Sequence, residues 1–185
     1  YDVVIAGSGP SGAAAAKGLV NEGLSVLMLE KKKLPRYKKC SGIIFKKSQD
    51  ITEKYFGKIP KSAYVTPELL KGVRFWSDSD NYKDYPFTKD GSGVPNIWRS
   101  EYDYWLVKNS GADIRDCHAV TGFSDKGDSV VVNVHDKLND NLIDIRCKYL
   151  ISAEGGRSVI RVNLDPEFEK GLKWFTEIGR ASCRE

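Results

Sequence analysis

The chain has no hydrophobic run long enough to cross a membrane as a helix, so hydropathy alone excludes a spanning segment. Its 4 cysteines show neither CxxC nor Cys/His spacing, and there are only 2 histidines. That scarcity excludes a zinc site and a disulfide framework, leaves no metal site to expect, and makes a reducing, cytoplasmic setting the default. His118 and His135 have no partner at a useful spacing and are not candidate bases. Neither sign of charge dominates, since 29 basic residues against 25 acidic ones leave a net +4. No basic stretch is interleaved with aromatics as nucleic-acid surfaces are, so no nucleic-acid partner is expected. The local excess lies in Lys31, Lys32, Lys33, Arg36, Lys38 and Lys39. These residues are read as a solvated loop, with attraction of phosphates, anionic lipid or nucleic acid as the alternative.

What the chain does have is a glycine pattern in a specific setting. Val3 to Ala6 is an apolar run, followed by Gly7-Ser8-Gly9-Pro10-Ser11-Gly12, a small-residue helix through Ala13 to Ala16, and a second apolar run from Ser25 to Leu29. Strand, glycine turn, helix, strand is the order of a dinucleotide-binding unit. Gly7 allows the tight turn, Gly9 lets backbone approach a pyrophosphate, and Gly12 lets the helix pack on the strand; the helix N-terminus offers unpaired N–H groups to the anion. Glu30 ends the second strand about twenty residues on, where a carboxylate accepts ribose hydroxyls. An acid there disfavours a ribose phosphate, so the site is expected to hold FAD or NAD rather than NADP.

Further along, Pro35 breaks the chain after Glu30, and a helix is expected from Ile43 to Phe56 with its cap near Ser41. Strand-like pieces at Val73 to Ser77 and Tyr82 to Phe87 read as the start of an inserted substrate-side sheet. Ser100 to Asn109 has the apolar spacing of a core-facing helix, with Ser100 as its cap and Gly111 as its stop. A short strand, Ala112 to Arg115, follows. Ala119 to Phe123, Ser129 to Val134 and Leu142 to Cys147, joined by turns, form an antiparallel three-stranded meander. Tyr149 to Ala153 is a buried strand whose natural place is beside the first strand, and a helix begins at Ser158. Cys117 and Cys147 are read as buried fillers.

The fold class is therefore α/β, a Rossmann-like FAD/NAD(P)-binding fold with a parallel sheet. Its divisions are a cofactor-binding domain in two parts, 1–56 and 99–163, an insertion over 57–98, and the start of a further substrate-side domain over 164–176. Both ends look cut: the chain begins at a strand without Met, and Glu177 to Glu185 corresponds to a common sequencing adapter read in frame. Those last residues are treated as foreign.

With these residues in hand, the chain resembles the N-terminal part of a glutathione-reductase-type FAD flavoprotein, within that group the geranylgeranyl reductase-like family, related to aromatic hydroxylases and flavin-dependent halogenases. The resemblance rests on GSGPSG with Glu30; Pro35 with Lys39-Cys40-Ser41-Gly42; Arg99 and Asp103 ahead of Gly111-Ala112-Asp113; and YLISAEGGRSVIR from Tyr149 to Arg161. Two departures stand out: Ser41 where the family shows Gly, and Glu154 where it shows Asp. The resemblance implies that Gly7, Gly9, Ser11 and Gly12 hold the pyrophosphate and Glu30 the adenosine ribose. It places Arg99 against the phosphate or ribitol, the alternative being a surface ion pair with Glu101 or Asp103. Val120 meets the adenine through its backbone, and Glu154 and Gly155 lie near the cofactor, with helix capping as the alternative for Glu154. Cys40 is the catalytic candidate, a thiol whose pKa Lys38 and Lys39 could lower; a packed cysteine that shapes the pocket is the alternative.

The implied activity is FAD-dependent reduction of an isoprenoid or other apolar alkene, with NAD(P)H or another external reductant, at a membrane surface when the substrate resides there. A flavin-dependent monooxygenase or halogenase is the enzymatic alternative, and a non-catalytic dinucleotide-binding module the alternative of another class. The chain alone is expected to be inactive.

Overall fold

Two runs without a polar side chain, Val3–Ala6 and Val26–Leu29, are buried at every position. Strands covered on both faces read in this way, as in the middle of a parallel sheet. The computed structural model describes residues 1–167. In chain order its elements are β1 (Val3–Ala6), α1 (Pro10–Asn21), β2 (Val26–Leu29), α2 (Lys46–Phe56), a 3-10 turn at Lys61–Ala63, β3 (Tyr64–Leu70), β4 (Gly72–Trp76), β5 (Tyr82–Pro86), β6 (Val94–Ile97), α3 (Arg99–Lys108), β7 (Asp113–Arg115), β8 (His118–Asp125), β9 (Val130–Asp136), β10 (Asn141–Cys147), β11 (Tyr149–Ser152) and α4 (Val159–Leu164). The chain divides into two compact units: Tyr1–Arg36 with the chain from Asp103 on, and, among the described residues, Tyr37–Tyr102.

The first unit is built on a parallel sheet of order β11-β1-β2-β7. Val3 pairs with Val26 on one side and Tyr149 on the other, so the late strand does lie beside the first. The meander forms a second sheet, β10-β9-β8, and covers one face of the first. Val4, Leu27 and Leu29 meet Val132, Val134, Ile145 and Cys147 there in one buried cluster. Each such side chain contributes about 1.5–3 kcal/mol by leaving water. Val3, Ile5 and Met28 alternate to the opposite face and are equally buried. Helix α1 packs against β1 and β2 through a small face in which Gly12, Ala13 and Ala16 are buried.

In the second unit β3 pairs antiparallel with β6, and β4 with β5. Three sequence expectations need correction. Strand β3 was not among the expected strands, because Pro67 stands inside it; its ladder with β6 is irregular between Tyr64 and Leu69. Helix α2 starts at Lys46 rather than Ile43, since Ile43 bridges to Asn96 and the Ile44 N–H donates to the Pro95 carbonyl. The α3 helix begins at Arg99, so Ser100 lies in its first turn and is not its cap. Glu177 to Glu185 and the strand expected near Lys173 lie outside the described residues. Among the described residues, no helix is long and apolar enough to cross a membrane.

Candidate functional site

The carboxyl ends of β1, β2 and β11 converge on the glycine turn. Gly7 has φ +104, and a Cβ there would fall 2.4 Å from the Ala153 carbonyl oxygen. At Gly12 a Cβ would fall 2.0 Å from the Gly7 carbonyl oxygen. Both glycines are thus demanded by the packing of turn, helix and neighbouring strand. Gly9 is different. Its backbone, φ −75 and ψ −178, suits any residue, and among the described residues an added Cβ would meet only Arg36 Nη2, at 3.5 Å. Nothing among the described residues requires glycine there, whereas a group lying against the turn would. Gly9 is also the N-cap of α1 and makes no side-chain cap bond, while Pro10 opens the helix without an N–H. Ser11 is exposed in the first turn. The turn therefore offers the bare backbone and positive helix end that a pyrophosphate requires.

Glu30 is fixed by hydrogen bonds to five residues. Its N–H donates to the Arg115 carbonyl and its own carbonyl accepts from the His118 N–H, which ties the end of β2 to β7 and β8. Its carboxylate is buried; Oε2 accepts from Ser8 Oγ at 2.7 Å and from Arg36 Nε at 2.9 Å, and Oε1 from the Lys32 N–H at 3.0 Å. Burial pushes this carboxyl up, but the Arg36 guanidinium and the Ser8 hydroxyl outweigh it and hold Glu30 below the usual glutamate range. Oε1 keeps acceptor capacity for a ribose hydroxyl.

Arg36 was read from the sequence as one of a solvated basic cluster, and here that reading is corrected. Lys31, Lys32, Lys33, Lys38 and Lys39 are exposed. The Arg36 side chain is only 11% exposed and lies between Glu30 and Asp103, donating from Nη1 to Asp103 Oδ2 at 3.3 Å. Asp103 is itself 1% exposed. An arginine among lysines after a proline gives no periodic signal; only the distant Asp103 in the RSEYD stretch hints at a partner.

Val120 lies in β8, the edge strand of the meander, with its side chain against the core cluster. The β8–β9 ladder shifts register between Val120 and Gly122, a bulge that takes Thr121 out of the pairing. Glu154 takes up the capping alternative: Oε2 accepts from Ser158 Oγ at 2.6 Å and the Ile160 N–H at 3.1 Å, and Oε1 from the Val159 N–H at 3.3 Å. Ser158, the N-cap of α4, accepts from the Arg161 N–H at 3.0 Å. Gly155, at φ +80, makes the turn between them. An open pocket of about 370 Å³ is lined by Lys31, Arg157, Ser158, Val159, Val162 and Asn163.

Cys40 and Arg99 both belong to the second unit, and the structure brings them together. Burial pushes the Cys40 thiol up, yet the Gly42 N–H, the Arg99 guanidinium and the Ser41 hydroxyl outweigh it and hold the thiol below its ordinary range. The expected lowering is present, with the Gly42 N–H and then Arg99 as its causes in place of Lys38 and Lys39. The other expected fillers divide. Cys147 is buried, and burial pushes its thiol up, whereas Cys117 is half-buried at a turn with φ 57.

The model of one protein family, described as FAD binding domain, matches residues 1–179. Digeranylgeranylglycerophospholipid reductase 2 of Methanopyrus kandleri is 28% identical over 165 residues, 86% of this chain and 39% of the relative. The 12-dehydrotetracycline 5-monooxygenase/anhydrotetracycline 6-monooxygenase of Streptomyces rimosus is 28% identical, covering 100% of this chain and 37% of that protein. Among solved structures, a geranylgeranyl bacteriochlorophyll reductase-like protein of Thermoplasma acidophilum matches with a TM-score of 0.69 and 26% identity, over 84% of this chain and 39% of that one. The chain thus spans about two fifths of the relatives it matches.

Proposed function

Since the chain belongs to the FAD binding domain family, we propose that the whole protein is an FAD-dependent oxidoreductase that reduces an isoprenoid or another apolar alkene. The observation that carries the cofactor half is Gly9, a glycine that no atom among the described residues requires, beside a buried acid at the end of β2. The N-terminal turn of α1 holds the pyrophosphate, Glu30 the ribose, and the backbone around Val120 the adenine. Ser11, Glu154 and Gly155 complete the rim, Glu154 by fixing the start of α4. Bound FAD supplies hydride transfer, and the protein supplies position and exclusion of water. Segment 57–98 is read as the substrate side. Cys40 is read as its reactive thiol, held below its ordinary range by the Gly42 N–H and Arg99.

The reductase half is supported by the matched reductases, whose names carry geranylgeranyl substrates. NAD(P)H or another external donor would reduce the flavin, and association with a membrane would follow from where such a substrate resides. A monooxygenase is the second reading, supported by the tetracycline enzyme that the chain matches along its whole length. Two assays separate them. Anaerobic reoxidation of the reduced flavin by geranylgeranyl diphosphate supports the reductase. Oxygen uptake that rises with substrate, without anaerobic reoxidation, overturns it in favour of the monooxygenase.

A further inference from the structure

The geometry points to Arg36 as the residue that anchors the cofactor phosphate while screening it from Glu30, where the family resemblance implies Arg99 against the phosphate or ribitol. The inference rests on the FAD reading above and adds a residue to it. A dinucleotide site of this kind contains a conflict, because the acid that takes the ribose and the pyrophosphate on the adjoining turn are both negative. Arg36 stands between them. Its guanidinium fork has three edges. Nε is committed to Glu30 at 2.9 Å and Nη1 to Asp103 at 3.3 Å. Nη2 has no hydrogen-bond partner among the described residues, and among them, the turn's own neighbouring backbone aside, it is the atom that lies within 4 Å of where a Gly9 side chain would begin, at 3.5 Å.

The two carboxylates are nearly fully buried and orient the fork from one side. The edge left over faces the bare backbone of the turn. A planar donor held in this way loses little freedom on meeting a phosphate oxygen, and its charge offsets Glu30 at the point where the two anions would repel. Lysine could not replace it. One ammonium cannot hold Glu30, Asp103 and a phosphate in a fixed fork. The two buried carboxylates also explain why this residue alone of the basic loop is withdrawn from solvent. Their joint charge exceeds that of one guanidinium, and the positive end of α1 adds to the local balance.

The test compares adenosine, ADP and FAD as ligands of the intact protein, with dissociation constants measured by calorimetry for the wild type, R36Q and R36K. Loss of a charge-assisted bond to phosphate weakens ADP and FAD about tenfold or more in both variants, with adenosine changed less than about threefold. Equal losses for adenosine and ADP would overturn the inference, reducing Arg36 to a support for Glu30. Unchanged ADP binding would overturn it as well. If R36Q fails to fold, by far-UV circular dichroism, R36K alone decides by the same ratio. A wild type that binds neither ADP nor FAD would instead overturn the FAD reading itself.

Discussion

Single residues in the turn separate packing from ligand recognition. Gly12→Ala drives a Cβ to within 2.0 Å of the Gly7 carbonyl, an overpacked contact between backbone atoms that cannot rotate away. It is expected to cost about 1–3 kcal/mol in urea unfolding. Gly9→Ala meets nothing among the described residues closer than 3.5 Å and keeps an ordinary backbone, so its stability should stay within about 0.5 kcal/mol of the wild type. Glu30 gives a pH prediction of definite sign. Its folded carboxyl lies below the ordinary value of 4.5, so its stabilisation is fully present above that value. It is lost as pH falls through the lower folded pKa. Acid unfolding followed by circular dichroism should therefore be steeper below about pH 4.5 for the wild type than for Glu30→Gln; parallel curves would contradict the assignment. At this scale the glycines and Glu30 were legible because their spacing is local. Arg36 was not, because its meaning depends on Asp103, far along the chain. The Cys40 environment was half legible: a lowered thiol was foreseen, but its causes are the Gly42 N–H two residues on and Arg99, which comes from another element.

Among the elements, the meander and α4 show what local pattern can and cannot fix. The pattern of Ser129 to Val134 placed β9, which runs two residues further, over Val130–Asp136, and its buried valines, Val132 and Val134, are the contact with the parallel sheet. Val134→Ala leaves a cavity against Val4 and Leu27, and about 2 kcal/mol of destabilisation is expected in denaturant melts. At α4, Ser158 and Glu154 together satisfy the first-turn N–H groups of a six-residue helix. Ser158→Ala should cost about 1 kcal/mol, measured in the same way. Element starts were less legible than elements themselves. Gly42 to Ile44 carries apolar residues that suit a helix, but long-range pairing with β6 claims that backbone first. Strand β3 is the reverse case, in which Pro67 conceals a strand that pairing across the unit nevertheless forms.

Across the whole molecule, the order β11-β1-β2-β7 brings the ends of three strands and the N-terminus of α1 to one edge. All the residues argued to hold the adenosine and pyrophosphate end of the cofactor lie in the first unit, from Gly7 and Glu30 to Val120 and Glu154. This arrangement was legible because a parallel strand, a turn and a helix in sequence admit few topologies. The second unit was less legible, because Tyr37–Tyr102 holds short strands with exposed aromatics such as Phe75 and Trp76. The central claim is that the chain holds FAD on the turn around Gly9. The most direct test is a calorimetric titration of FAD into the intact protein and its Gly9→Ala variant, with folding of both confirmed. The account predicts saturation at one FAD per chain for the wild type and affinity at least tenfold weaker in the variant, about 1.4 kcal/mol. No saturable binding to the folded wild type, or equal affinity in both proteins, would contradict it.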